Sequence, residues 1–208
     1  MKISKITETK RGRFALFDEE GEFLFSVDGE TLVKNDIREG AALDAAALSE
    51  LHAQSETRKA KDKALGYLSL RDHASGELYG KLCQKFDPHS AAAAVAEMQR
   101  LDLLDDEKFA RHRAKYLLEK HKSAREISQN LARLGIDRET VQAVLEELDP
   151  SGEDACYAVV QKNYLRKLAA GERDKVLAAL ARRGFTFAEA KGAVQRALDE
   201  LNDETEDL

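Results

Sequence analysis

Apolar and polar residues alternate along RFALFDEEGEFLFSVDGETLV, which puts Phe14, Leu16, Phe23, Phe25 and Val27 at every second position on either side of Asp18-Glu19-Glu20-Gly21. That is the period of a half-buried strand broken by a turn, so the segment is expected to form a hairpin with one apolar face, with Lys2 to Thr9 adding a further strand. From LVKNDIREGAALDAAALSELHAQ onward helix formers dominate, and SETRKAKDKALGYLSL continues as a helix with a basic face.

Beyond residue 60 the apolar pattern repeats. Leu82, Leu131 and Leu180 are separated by 49 positions and again by 49, and Leu78, Ile127 and Val176, four residues earlier, keep the same spacing. Three apolar i, i+4 pairs, each followed by a break and another helical stretch, imply one unit used three times. The second unit is the clearest: 105–122 reads as a first helix, 123–135 as a second and 137–148 as a third. Ile127, Leu131 and Leu134 form one stripe, and Val141, Val144, Leu145 and Leu148 another. Boundary chemistry agrees. Ser123 with Glu126 and Thr186 with Glu189 have capping-box spacing, Asp87-Pro88 sets an N-cap before a first-turn proline, and Gly135 and Gly184 stand where a left-handed residue closes a helix. A bundle of about fifty residues buries little apolar area, so each unit is expected to stack on its neighbours.

Composition supports a helical chain: 43% hydrophobic, 35% charged, only 6% aromatic, with two prolines and no tryptophan. No apolar run reaches the roughly 18 residues needed to span a bilayer, and MKISKITETKRGRF has no apolar signal core, so a cytoplasmic protein is expected. Cys83 and Cys156, 73 positions apart and without metal-ligand spacing, are expected to be small buried hydrophobes. The net charge of −6 conceals a division: residues 1–54 are net −4, the last ten net −6, and the stretch between them net +4. A basic body with acidic ends suits a polyanion or an acidic protein surface as partner.

Signatures of catalysis are missing. The five histidines, His52, His73, His89, His112 and His121, make no HxxxH or HExxH pair, and no phosphate-binding or nucleophile motif occurs, so no enzyme, metal or cofactor is expected. Asp105-Asp106-Glu107 reads as a helix start, where carboxylates accept backbone N–H groups and offset the helix dipole. The basic residues are patterned. On a helical wheel of 108–122, Lys108, Arg111, His112, Lys115 and Lys122 crowd one arc opposite an apolar side. Segment 108–133 is net +6 and 161–183 net +5. Arg113 falls inside the apolar arc and is expected to pair with a carboxylate; Tyr67, Tyr79, Tyr116, Tyr157 and Tyr164 are expected to pack inward.

The stretch LDDEKFARHRAKYLLEKHKSAREISQNLARLGID resembles the most recognisable part of the RecX family, through Leu104, Asp105, Asp106, Glu107, Phe109, Ala110, Arg125, Ile127, Leu131, Gly135 and Ile136. ALGYLSLRDHASGELYGKL is similar to the family's opening unit, with Ala64, Leu65, Tyr67, Leu68, Arg71, Ser75, Glu77, Leu78 and Leu82 in place. The likeness is strong over 61–148, moderate for the third unit and weak for the hairpin region. Two departures stand out: Ser123-Ala124 replaces a glycine expected ahead of the Arg-x-Ile stretch, and the glycine before Phe86 is missing.

The resemblance implies a mainly α fold, an elongated curved array of three tandem three-helix repeats (61–103, 104–149, 150–208) after an N-terminal β-hairpin and helix region (1–60). It implies a non-catalytic, monomeric regulator that binds the RecA recombinase filament, touches its single-stranded DNA weakly or indirectly, blocks filament extension and damps ATP hydrolysis, strand exchange and repressor cleavage, and so acts in DNA repair and the SOS response. Charge pattern alone nominates the contacts: Lys108, Arg111, Lys115, Lys122, Arg125 and Arg133 in the second repeat, and Arg166, Lys167, Arg173, Lys175, Arg182 and Arg183 in the third. A helix-turn-helix DNA-binding protein and a helical scaffold for an acidic partner remain open as alternatives.

Overall fold

The computed structural model describes residues 1–148 and 151–206, so the expected boundary at 149/150 and the final two residues of the acidic end lie outside it. Strands β1 (Lys5–Glu8), β2 (Phe14–Phe17) and β3 (Phe23–Val27) form an antiparallel sheet in the order β1-β2-β3. Leu16 pairs with Phe25 and Phe14 with Val27, and Leu16, Phe25 and Val27 are buried with Ile3, Ile37 and Leu51. Phe23 departs from the expected apolar face. The β2–β3 register shifts between Leu16 and Phe17, and beyond that irregularity Phe23 is 58% exposed, its ring edge-on to Phe17.

Helices account for most of the chain. After the short α1 (Gly29–Lys34), Asp44 caps α2 (Ala45–Leu68), which runs through position 60 without a break. Its Leu51 covers the sheet, while Ala60 and Ala64 join Leu78, Leu82, Ala91, Ala94 and Met98 in a second core shared with α3 (Ser75–Cys83) and α4 (Pro88–Arg100). Asp87 accepts from the His89 and Ser90 amides ahead of Pro88, the cap expected there. These elements make one compact unit, 1–73 with 78–104; the other comprises 74–77 with residues from 105 onward.

Within that second unit, α5 (Asp106–Glu119), α6 (Ala124–Arg133) and α7 (Arg138–Leu148) enclose Ala110, Ala114, Ile127, Leu131, Val141 and Val144. Gly76, at the start of α3, meets the α6–α7 turn backbone to backbone: a Cβ there would lie 2.6 Å from the Gly135 Cα. The last group holds four helices, α8 (Gly152–Asn163), α9 (Leu165–Ala169), α10 (Arg173–Arg182) and α11 (Phe187–Glu206), around Cys156, Val160, Leu168, Val176, Leu180 and Val194. The single turn α9 is an addition to the expected three.

The 49-residue period is structural. Leu78 and Leu82, Ile127 and Leu131, Val176 and Leu180 are all fully buried, each pair in a different core, and truncating any of these leucines to alanine would cost about 2–5 kcal/mol. Cys156 is buried as expected, but Cys83 is exposed: α3 turns Leu78 and Leu82 inward, and the next position lies about 100° round the helix. Among the described residues no helix is long and apolar enough to cross a membrane.

Candidate functional site

Among the described residues no group of three or more His, Cys, Asp or Glu side chains could hold a metal ion. The acidic cluster at the start of α5 caps helices: Asp105 accepts from the Lys108 amide at 2.9 Å, and Asp106 accepts from the Ser75 amide at 2.8 Å, capping α3 rather than its own helix. Ordinary helix-terminal chemistry thus accounts for these carboxylates.

The twelve nominated cations divide. Lys108 and Lys115 are exposed on α5, but Arg111 between them directs Nε at both oxygens of Glu147 on α7, at 3.0 and 2.9 Å. That hydrogen bond and the carboxylate's charge raise the Arg111 pKa, so this guanidinium is already partnered. Lys175 is held by Glu172 at 2.6 Å. Arg133 and Arg166 are exposed, and Arg173 half-buried at the start of α10.

Four of the other five converge. Lys122 and Arg125, at the start of α6, and Arg182 and Arg183, at the end of α10, line one groove of about 480 Å³ with Glu126 and Gln129. Local chemistry fixes it. Buried Ser123 accepts the Glu126 amide as N-cap and donates its own hydroxyl to the Arg183 carbonyl at 2.8 Å, tying the start of one helix to the end of another. Gly184 makes that approach feasible. Its φ is +88°, and a Cβ there would sit 2.7 Å from Ser123 Oγ and 3.2 Å from Arg125 Cβ. The serine at the expected glycine position therefore has a role: it supplies a hydroxyl for which glycine has no equivalent.

Glu126 is the one carboxylate among the lining residues, and it pairs with Lys122 at 2.6 Å with both side chains more than a third exposed. Such an i, i+4 pair is worth only a few tenths of a kcal/mol, so an anionic ligand can displace it. The Tyr164 ring extends the site, with the Arg183 guanidinium 5.8 Å and Lys167 Nζ 5.9 Å from its centre.

Three expectations are corrected here. Arg113 pairs with an amide, donating to Asn130 Oδ1 at 3.0 Å, and lies beside the Tyr116 ring; no carboxylate partner is seen among the described residues. Tyr116 is 49% exposed, because it follows the apolar stripe by one position and Leu117 takes the inward place. Tyr79 is likewise exposed, next to buried Leu78. Sequence reasoning nominated the four cations that line this groove, and gave no sign of Gln129, the Tyr164 ring or the Ser123–Arg183 bond. The last joins positions 60 apart, for which helical periodicity holds no signal.

Comparison with known proteins gives a consistent outcome. The family model for the second three-helix domain of RecX matches residues 105–145, and that for the first three-helix domain matches 60–98. A regulatory protein RecX from Listeria monocytogenes is 28% identical over 220 aligned positions, spanning 100% of this chain and 81% of that protein. One from Bacillus licheniformis is 29% identical over 216, spanning 99% and 79%. A crystal structure of a regulatory protein RecX is similar over 91% of this chain and 97% of its own, with a TM-score of 0.68 and 21% identity. RecX from Lactobacillus salivarius is similar over 68% and 96%, with a TM-score of 0.60 and 20% identity. At these identities the two solved structures speak for the fold.

Proposed function

The chain belongs to the RecX family, and from that premise we propose that it regulates the RecA recombinase by seating the groove between α6 and α10 on the acidic surface of the RecA–single-stranded DNA filament. The observation that carries this reading is the convergence of Lys122, Arg125, Arg182 and Arg183 on one face, with a single, displaceable carboxylate among them. A filament of identical subunits presents the same surface at regular intervals, and a chain of similar helical repeats, 61–103, 104–149 and 150–208, offers contacts in register with it. Bound there, a monomer in the cytoplasm blocks the next subunit from adding and damps ATP hydrolysis, strand exchange and repressor cleavage, with no chemistry of its own. Through this groove, contact with the filament's DNA is weak or indirect.

Lys167 extends the groove through Tyr164, and Lys108, Lys115, Arg133 and Arg166 contribute field. Arg111 contributes less, its Nε being bonded to both oxygens of Glu147, whereas the exposed i, i+3 pair of Lys175 with Glu172 is as displaceable as that of Lys122 with Glu126. The test is titration into a recombinase–single-stranded DNA ATPase assay. The wild type lowers the rate to a plateau. Replacing Arg125, Arg182 and Arg183 together by Glu, at about 1 kcal/mol per contact, shifts the half-inhibitory concentration upward on the order of a hundredfold with helical circular dichroism intact. Unchanged inhibition by that variant removes the groove from the mechanism.

A further inference from the structure

The first unit carries a second cationic site, outside the groove just described and independent of it. Residues 1–54 are net acidic, yet three of their seven basic side chains, Lys10, Arg11 and Arg13, meet Lys59 and Lys63 of α2 around one cleft of about 760 Å³. Asp62 is the one carboxylate on its lining, and it leans towards Arg58 at 3.8 Å.

The cleft is built. The β1–β2 turn is tight: the Thr9 amide bonds to the Arg13 carbonyl at 2.7 Å, and Gly12 adopts a φ of +68°. Lys10 and Arg11 therefore sit at a fixed tip, both exposed. Arg13 forms a rigid positive wall, donating to the Ser26 carbonyl and to Ser55 Oγ, each at 2.8 Å. Lys59 is engaged by Glu56 at 2.7 Å, whereas Lys63 stands over the Tyr67 ring at 4.8 Å with no carboxylate partner among the described residues. Phe86, half-buried against the α2–α4 core, supplies an aromatic side to the same cleft.

We propose that this cleft binds the sugar–phosphate backbone of single-stranded nucleic acid, with Lys10, Arg11 and Lys63 on phosphates and Phe86 beside a base. Cations tracking a backbone next to an aromatic face are the combination single strands require; an acidic protein surface needs no aromatic wall, and a stacked duplex offers no free base face. The opposition between an acidic segment and its local cationic cleft argues against a merely solvated charged face.

The experiment is fluorescence anisotropy of a labelled oligothymidylate of about twenty nucleotides with the full chain, without recombinase, from about 50 to 200 mM NaCl. Affinity is expected to fall with salt at a slope of about −0.7 per phosphate contacted, and K10E/R11E/K63E to lower affinity more than tenfold and flatten the slope by about 2. The exposed-tip variant K10E/R11E, which cannot disturb a core, is expected to show the same trend at a smaller size. The groove variant R125E/R182E/R183E is expected to retain oligonucleotide binding while losing recombinase inhibition, which separates failure of this inference from failure of the proposed function. No binding by the wild type at the lowest salt, equal binding of polyglutamate, tighter binding of duplex than of single strand, or unchanged affinity in both cleft variants would overturn it.

Discussion

Substituting Gly184 by alanine tests how the groove is assembled. Three effects combine. At φ +88° an L side chain pays roughly 1–2 kcal/mol of local strain. The added methyl lies 2.7 Å from Ser123 Oγ, so the hydroxyl must rotate away from both the Arg183 carbonyl and the Glu126 amide; losing the bond and the cap costs about 1 kcal/mol each. Arg125 Cβ, at 3.2 Å, is fixed to backbone and cannot rotate aside, so the α6 start must shift by a few tenths of an ångström. The sum is about 3–4 kcal/mol. Gly171 provides the control: its φ is +75° with nothing within 4 Å of a built Cβ, so Gly171→Ala carries only the strain of roughly 1–2 kcal/mol. Urea unfolding of the full chain, followed by circular dichroism, compares the two. In a Ser123→Ala background the excess cost of Gly184→Ala should shrink, a non-additivity expected of touching groups. Equal destabilisation by the two glycine variants would refute the argument that close approach, rather than backbone sign, builds the groove.

Other outcomes follow from the same packing. Gly76→Ala would place a methyl 2.6 Å from the Gly135 Cα and 2.9 Å from the Leu134 carbonyl oxygen, all backbone, and should cost about 3 kcal/mol or more in urea unfolding. Aromatic-disulfide labelling at pH 8 should titrate one thiol in the folded protein, exposed Cys83, and two in urea. Cys156 is buried with a pKa pushed up by burial to about 12, which leaves about one part in ten thousand as thiolate. Asp87 and Asp137 have lowered pKa values, through hydrogen bonds from the Ser90 side chain and the Thr140 amide respectively. A depressed carboxylate stabilises fully above its unfolded value of about 4 and loses that contribution as pH falls through the folded value. The stability gap between wild type and D87N/D137N, read as urea midpoint, should therefore narrow below about pH 4.

What the sequence disclosed was local and periodic. The 49-residue spacing of Leu82, Leu131 and Leu180 is a repeat of burial, and burial on one helix face can be read from period alone. The caps at Asp87, Ser123 and Thr186 were legible because each lies within four residues of the groups it satisfies. Failures came one position off the stripe, as at Tyr79, Cys83 and Tyr116, where 100° per residue turns an apolar type towards solvent. They came also from partners distant in sequence: Glu147 for Arg111, Asn130 for Arg113, Arg183 for Ser123. The extra turn α9 escaped notice because LRKLA continues the helical composition around it. Charge pattern nominated the four cations that the structure brings to one groove, but nominated with them Arg111, whose partner Glu147 lies 36 positions away.

Photo-crosslinking from inside the groove addresses the central claim most directly. With p-benzoylphenylalanine replacing Gln129, an exposed lining residue, irradiation of the full chain on assembled recombinase–single-stranded DNA filaments should yield a covalent adduct with a recombinase subunit. The same group placed at Glu20, in the β2–β3 turn, should give none. An adduct from Glu20 with none from Gln129 would contradict the account.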